Sequence, residues 1–216
     1  MPEGRTLIIG DIHGCLHMLK RLIDKIEWDP LHDRLIFIGD YIDRGEDGKG
    51  VIDYVLQLKK DSPFVQCLIG NHEQMFLDYL SGADYNSFIL NGGLSTLRGY
   101  KEVRRGKKDP LIPPSHLDFF SSLISMVELD EYYVVHAGFR PKVRIQDQDL
   151  FDMIWIRDEF IYSDHDFGKV VIFGHTPLYS PLILKNKIGI DTGAVYGNCL
   201  TCLELPEKKF YSVTLK

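Results

Sequence analysis

Hydrophobic residues in the first third of the chain follow two alternating spacings. Short continuous apolar runs, typical of buried strands, lie at 6–10, 34–39 and 64–70. Stretches in which apolar residues recur every three or four positions, the period of an amphipathic helix, lie at 16–26, 51–58 and 73–80. This alternation of strands and helices predicts right-handed crossovers and therefore a parallel sheet.

The rest of the chain is less regular. The glycines at 92, 93 and 99 predict an interrupted helix over 88–100, and the basic and proline-rich stretch 101–116 predicts an exposed loop. Its basic run at 101–108 is either a solvated face or a rim that attracts anions. Short strand-like runs separated by short turns favour antiparallel pairing, and they lie at 132–135, 169–173, 182–184, 187–190, 199–205 and 209–215. No repeat or linker divides the chain, so we expect one α/β domain over residues 1–216.

Composition narrows the class of protein. The chain has 216 residues, with 25 Lys plus Arg against 31 Asp plus Glu, a formal net charge of −6. This acidic balance argues against a nucleic-acid partner and, at first sight, against an anionic substrate. No apolar run is long enough to span a bilayer, so no membrane partner is expected. Four cysteines are too few for a disulfide scaffold and favour a reducing, cytoplasmic setting.

Five strand-like runs end in a side chain of a metal-ligating type. Because the carboxyl ends of parallel strands meet at one edge of a sheet, these side chains are expected to converge. They are Asp11, His13, Asp40, Asn71, His136 and His175. By contrast, Cys199 and Cys202 are three positions apart in a strand-like run and would point to opposite faces, so we expect no shared metal there.

A metal would relieve the repulsion between Asp11 and Asp40 in a poorly solvated cleft. Mixed imidazole nitrogen and carboxylate or amide oxygen suits Mn²⁺, Fe or Zn²⁺. Six side chains are too many for one ion that keeps an open position, but they suit two ions that share one carboxylate. Such a pair activates a bridging water for in-line displacement at phosphorus.

The ordered motifs identify the chain as a member of a known superfamily. GDIHG at 10–14, GDYIDRG at 39–45, GNHE at 70–73, HAG at 136–138 and GH at 174–175 resemble the calcineurin-like metallophosphoesterases. The second and third motifs have the form of the phosphoprotein phosphatase family. NGG at 91–93, WIR at 155–157 and FGHTP at 173–177 are similar to its bacterial and phage branch, that of the lambda phosphatase. The resemblance covers residues 6–205 and implies a β-sandwich of mixed sheets flanked by helices, with a dinuclear site at the strand ends.

The resemblance also implies roles at the matching positions. Asp11 and His13 would hold one metal, Asp40 would bridge both, and the second metal would be held by Asn71, His136 and His175. His72 would be the general acid, oriented by Asp43. Phosphate would be bound by Arg44, Arg157 and Asn71. Two divalent ions are expected, with manganese first and iron or zinc as alternatives. They add +4 to the net charge, and so the acidic balance no longer argues against a phosphate substrate.

The expected activity is phosphomonoester hydrolysis, with phosphoserine and phosphothreonine proteins as substrates. The alternative is a symmetrical bis(5'-nucleosyl)-tetraphosphate hydrolase, whose chain is normally longer. A binding module that has lost catalysis would lack a ligand, and a nuclease would need a longer basic groove. We expect Glu73 to brace the helix after His72. Asp191 is not expected to be a ligand. Tyr41 and Tyr196 either pack in the core or line the cleft. The remaining histidines are expected at the surface or in loops, namely His17, His32, His116 and His165. The sequence does not indicate the oligomeric state.

Overall fold

The computed structural model describes residues 4–103 and 110–215 and contains two five-stranded sheets flanked by helices. Most of the predicted basic run, Arg104, Arg105, Lys107 and Lys108, lies outside the described residues, so the anion-attracting rim stays a prediction. No helix in the described part is long and apolar enough to cross a membrane.

The elements follow the predicted order closely in the first third of the chain. The strands are β1 Thr6–Ile9, β2 Arg34–Phe37, β3 Val65–Cys67, β4 Met126–Glu128, β5 Tyr132–Val135, β6 Val170–Phe173, β7 Leu182–Ile183, β8 Lys187–Gly189, β9 Cys199–Leu205 and β10 Lys209–Thr214. The helices are α1 Leu16–Ile26, α2 Gly48–Asp61, α3 Asn71–Ser81, α4 Asn86–Phe88, α5 Leu94–Val103, α6 Pro114–Ser121, α7 Leu150–Trp155 and α8 Asp158–Ile161.

The strand pairing confirms the parallel start and corrects the expectation for the last third. In the first sheet, of order β10-β9-β1-β2-β3, the strands β1, β2 and β3 are parallel and β9 is antiparallel to β1. In the second sheet, of order β4-β5-β6-β8-β7, the strands β5, β6 and β8 are also parallel. The antiparallel expectation was therefore wrong for these three. The connection from β5 to β6 contains α7 and α8, and such a length allows a crossover rather than a hairpin.

Alternation of side chains along each strand builds three layers of apolar packing. Ile8 of β1 and Ile172 of β6 belong to one buried cluster between the two sheets. Their neighbour Leu7 lies in the cluster shared with α1 and α2, and Phe173 lies in the cluster shared with α7 and α8. The result is a β-sandwich with helices on both outer faces, as the resemblance implied.

The segment that connects the two sheets differs most from the expectation. The helix over 88–100 is interrupted as predicted, because Gly92 has a φ of 102° at a kink before α5. Residues 114–121, however, form α6 and bury His116, which was expected in a surface loop. His116 accepts a hydrogen bond from the Tyr100 hydroxyl (2.9 Å) and donates one to Asp53 (2.9 Å). These partners, which lie on α5 and α2, explain why a histidine is tolerated in the core.

Arg5 joins the edges of three strands through two buried carboxylates. Its guanidinium lies 2.7 Å from Asp33 Oδ2 and 2.8 Å from Glu204 Oε2. Burial alone would raise the pKa of Asp33, but hydrogen bonds from the Arg5 guanidinium and the Asp29 amide outweigh it and lower that pKa. The carboxylate of Asp33 is therefore held in its charged form.

We expect Arg5→Met to lower the free energy of unfolding at pH 7 by about 2 kcal/mol, since two buried carboxylates lose their partner while the guanidinium itself is partly exposed. Because the pKa of Asp33 is lowered in the folded state, its charge stabilises the fold at pH values above its unfolded pKa near 3.9. This contribution disappears as the pH falls through the folded-state pKa. Denaturant unfolding at pH 7 and about pH 3 checks this. The exposed pair Arg144–Asp147 supplies the control Arg144→Met, with a loss of about 0.5 kcal/mol or less. An Arg5→Met loss that is equal at both pH values contradicts the charge argument.

Candidate metal centre

The loops after five parallel strands bring the predicted ligands to one place. These loops follow β1, β2, β3, β5 and β6, and all six predicted ligands are buried. His13, Asp40 and His175 have positive φ values of 44°, 54° and 63°. A left-handed backbone is costly for residues other than glycine and is commonly found at functional sites. It turns these side chains back toward the common edge of the two sheets.

Asp40 lies at the centre of the cluster. Its Oδ2 is 3.3 Å from His13 Nε2, and its Oδ1 is 3.5 Å from His136 Nε2. Two triplets of the described residues place their ligating atoms within 4.8 Å of one another, and Asp40 belongs to both. One triplet is Asp40, His136 and His175, and the other is His13, Asp40 and His72.

Backbone carbonyls determine which imidazole nitrogens face the centre. The Nδ1–H of His13 donates to the Ile42 carbonyl (2.8 Å), and the Nδ1–H of His136 donates to the Ile38 carbonyl (2.9 Å). Each ring therefore presents the lone pair of Nε2 toward Asp40. Hydrogen bonds of this kind orient histidines that bind metals.

Asn71 and His175 complete the other side of the cluster. Asn71 Oδ1 accepts a hydrogen bond from His175 Nδ1 (2.9 Å) and lies 3.1 Å from His136 Nε2. Burial, followed by the neighbouring His136, lowers the pKa of His175 to about 2. Burial also lowers the pKa of His136. Both rings are thus neutral at physiological pH, which is the form that binds a metal.

Three observations indicate that the nitrogen and oxygen atoms of the cluster are suited to hold divalent cations. His136 Nε2 faces oxygen atoms of Asn71 and Asp40, so that acceptors confront acceptors unless a cation lies among them. Asp11 Oδ1, His72 Nε2 and His175 Nε2 are buried and, in the described structure, lack a hydrogen-bond partner.

The third observation is that buried carboxyl groups lie close enough together to change one another's pKa. Burial, then Asp191 and Asp40, raises the pKa of Asp11 well above its ordinary range. The pKa of Asp40 is nevertheless lowered well below that range, because His136, His72 and His13 outweigh the effect of burial. Divalent cations would neutralise this concentrated charge.

Glu73 braces the start of α3, as predicted, and also binds the loop after β2. Its carboxylate accepts hydrogen bonds from the backbone amides of Asp40 (2.8 Å), Tyr41 (2.9 Å) and Gly70 (3.1 Å). Burial, followed by repulsion from Asp40, raises its pKa to about 8. Its side chain therefore holds the β2 and β3 loops together. Tyr41 is fully buried and packs against Phe119, so it does not line the cleft.

His72 is paired with Asp43 at the start of α3. Its Nδ1–H donates to Asp43 Oδ2 (2.7 Å), and both side chains are fully buried. The His72 ring also contacts the His13 ring edge-on, with centroids 4.6 Å apart. His72 belongs to the triplet that contains His13 and Asp40, whereas the resemblance implies Asp11 as the partner of His13. Asp11 accepts a hydrogen bond from the backbone amide of His175 at Oδ2 (3.0 Å), and its Oδ1 is buried with no hydrogen-bond partner among the described residues.

The two predicted phosphate-binding arginines lie differently. Arg44 reaches into the site, where its Nη1 donates to His13 Nε2 (2.6 Å). Its guanidinium also lies 5.7 Å from the centre of the exposed Tyr196 ring, so this tyrosine lies beside Arg44. Arg157 is exposed at the start of α8, and its charge helps to lower the pKa of His175. The arrangement thus has one arginine within the cluster and one at its rim.

One cavity adjoins the cluster through Trp155, while no predicted ligand lines it. Trp155 contacts the His175 ring edge-on (5.9 Å between centroids) and lines a cavity of about 410 Å³. Met75, Asp78 and Phe151 line it as well.

Sequence reasoning missed Thr96, which contacts Asp43 from α5. Its position shortly after the Asn91-Gly92-Gly93 motif was the available signal. Asp191, which was not expected to be a ligand, is buried and lies close enough to Asp11 to raise the pKa of Asp11.

The fold and the buried histidine and carboxylate cluster are those of a metal-dependent phosphoesterase. The model of the calcineurin-like phosphoesterase family matches residues 4–199, and the chain belongs to that family. It is an enzyme that hydrolyses phosphoester bonds, in a family that uses a dinuclear divalent-metal site.

Curated relatives carry two kinds of name. Serine/threonine-protein phosphatase 1 of Salmonella typhimurium is 32% identical over 90% of this chain and 88% of its own length. An asymmetrical bis(5'-nucleosyl)-tetraphosphatase of Oceanobacillus iheyensis is 29% identical over 95% of this chain and 90% of its own. A solved structure of a candidate diadenosine tetraphosphatase has a TM-score of 0.78 at 22% identity and covers 99% of this chain and 96% of its own. That last likeness shows the fold.

Proposed function

We propose that this chain hydrolyses phosphomonoesters, with phosphoserine and phosphothreonine in proteins as substrates, and that His72 protonates the leaving group. The observation that carries the proposal is the His72–Asp43 pair: Nδ1 is held by a carboxylate while the buried Nε2 has no partner. When this ring is protonated at both nitrogens, the imidazolium can donate the Nε2 proton to a departing alkoxide, while Asp43 keeps hold of the Nδ1–H. That step matters for serine and threonine esters, whose alkoxides are poor leaving groups.

The proposed metal ligands follow from the cluster. Asp11 and His13 would hold one ion, and Asp40 would bridge to a second that is held by Asn71, His136 and His175. The chemistry that two divalent ions supply at such a centre is activation of a water molecule and neutralisation of the phosphate oxygens. Arg44 and Arg157 would bind the remaining phosphate oxygens, because a guanidinium offers paired donors to them. The proposal of Mn²⁺ rests on the mixed nitrogen and oxygen donors.

Hydrolysis of a dinucleoside tetraphosphate is the second candidate, and one observation favours it. The relative from Oceanobacillus iheyensis with that activity in its name matches 95% of this chain and 90% of its own length. The length of this chain is therefore compatible with a dinucleotide substrate, although such hydrolases were expected to have longer chains. The relative's name specifies the asymmetrical reaction, whereas the alternative considered from the sequence was the symmetrical one.

Turnover of matched substrates separates the two candidates. With Mn²⁺ bound, we expect kcat/KM for a phosphoserine peptide to exceed that for diadenosine tetraphosphate by about ten-fold or more. A phosphotyrosine peptide tests for a tyrosine-directed activity, and Asp40→Asn prepared in parallel reveals any contaminating phosphatase. Cleavage of the dinucleotide alone would overturn the leading proposal, and its products would distinguish asymmetrical from symmetrical attack.

The cytoplasmic setting and the single domain over 1–216 stay predictions.

A further inference from the structure

Thr96 makes a reciprocal pair of hydrogen bonds with Asp43. The hydroxyl of Thr96 donates to Asp43 Oδ1 (2.6 Å) and accepts from the Asp43 backbone amide (2.9 Å). Thr96 lies in the first turn of α5 and is only 1% exposed. Asp43 is therefore bound at its backbone and at one carboxylate oxygen by a single side chain.

The other oxygen of the same carboxylate continues the connection to His72. Asp43 Oδ2 accepts the Nδ1–H of His72 at 2.7 Å, and all three side chains are buried. A carboxylate with only one bound oxygen can rotate about its Cβ–Cγ bond. The bond from Thr96 opposes that rotation, and so it restricts the orientation of the imidazole ring.

The backbone around Asp43 shows why a support is needed here. Asp43 and Arg44 have consecutive positive φ values of 70° and 65°. Two left-handed residues that are not glycine cost free energy, and they persist only when their surroundings hold them. The kink before α5 and the first turn of α5 hold them, because the Arg44 amide donates to the Gly92 carbonyl (3.3 Å) and the Asp43 amide donates to Thr96.

We infer that Thr96 is a positioning residue that acts on His72 through Asp43. The inference rests on the proposed role of His72 as the general acid. Thr96 bonds to Asp43 and belongs to neither ligand triplet. Its hydroxyl aligns the Asp43 carboxylate, which in turn directs His72 Nε2 toward the leaving oxygen. Small misplacements of a catalytic group reduce rates by about 100-fold.

The test compares Thr96→Val, which keeps the shape but removes the hydroxyl, with Thr96→Ser, which keeps the hydroxyl. We expect Thr96→Val to lower kcat for a phosphoserine peptide by about 10- to 100-fold, but kcat for p-nitrophenyl phosphate by about 3-fold or less, because nitrophenolate departs without a proton. Thr96→Ser should stay within about 3-fold of the unchanged chain on both substrates.

Matched controls separate positioning from general damage. Thr201 is also a buried threonine with two hydrogen bonds, to Thr192 (2.6 Å) and Ser212 (2.8 Å). Thr201→Val should lower the melting temperature but leave the ratio of the two kcat values unchanged. In an Asp43→Asn background, Thr96→Val should cause no further loss, since the group through which it acts is already changed.

A spectroscopic readout does not depend on turnover. In the Zn²⁺-loaded protein, the strongly hydrogen-bonded Nδ1–H of His72 should give a downfield proton resonance that is absent in His72→Asn. Thr96→Val should shift or broaden this resonance, and Thr96→Ser should retain it.

The inference is overturned if Thr96→Val slows both substrates equally, if Thr96→Ser behaves like Thr96→Val, or if the losses with Asp43→Asn add. Failure of the proposed function is a separate result. In that case His72→Asn itself would not distinguish the two substrates, whatever Thr96→Val did.

Discussion

Replacing His72 by asparagine will slow hydrolysis of a phosphoserine peptide by about 10²- to 10⁴-fold, the range that a general acid contributes. Hydrolysis of p-nitrophenyl phosphate will fall far less, because its leaving group is stable as an anion. The structural reason is that His72 is held by Asp43 through Nδ1 and presents an unpartnered Nε2 within the cluster. Steady-state kinetics on both substrates measures the difference.

The control for this variant is His116→Asn. His116 is likewise buried and hydrogen-bonded to a carboxylate, that of Asp53, but it lies on α6 and bonds to α2 and α5. We expect His116→Asn to lower stability without changing the ratio of the two rates. Metal content of His72→Asn is measured as well, since His72 belongs to one of the two ligand triplets. Equal losses on the two substrates with metals retained would remove His72 as the acid, and loss of one metal would make it a ligand instead.

Asp40→Asn is expected to lose both metals together. Asp40 is common to the two ligand triplets, and its two oxygens face His13 and His136 separately. An amide would supply one neutral oxygen in place of two charged ones, and so both ions lose a bridging ligand. Elemental analysis should find fewer than about 0.2 equivalents of metal per chain, and turnover should fall by about 10³-fold or more.

Asp191→Asn is the matched control, because it removes one charge from the same buried acidic cluster. Asp191 accepts a hydrogen bond from the Gly193 amide (2.9 Å) and is not in either triplet. We expect this variant to bind two metals. Retention of two metals by Asp40→Asn would contradict the bridging role, and loss of metal by both variants would point to overall charge rather than to a bridge.

The local elements and the convergence of the candidate ligands were predictable from the sequence for a common reason. The helix predicted over 16–26 has the bounds of α1, and the strand predicted over 199–205 has those of β9. Both signals are short-range, since they depend on the spacing of apolar residues within one element. The residues that follow the strands needed one further rule, that the carboxyl ends of parallel strands share an edge.

Long-range contacts account for what could not be predicted. The partners of His116 and Thr96 are separated from them in sequence by up to 63 and 53 residues, respectively. No spacing rule links such pairs, because they meet only after α5 and α6 pack against α2 and the β2 loop. The pairing of β5, β6 and β8 also depends on where the connecting helices pack, and a run of short strands does not reveal this.

The sequence thus specified the residue types of the predicted ligands, because each of them follows a strand within a few positions and the motif carries the residue type. The packed fold specified the alignment of that chemistry. Thr96, Glu73 and the carbonyls of Ile38 and Ile42 orient groups that lie far from them in the chain. Orientation at this scale is a property of packed contacts between elements, and it exists only once those elements have come together.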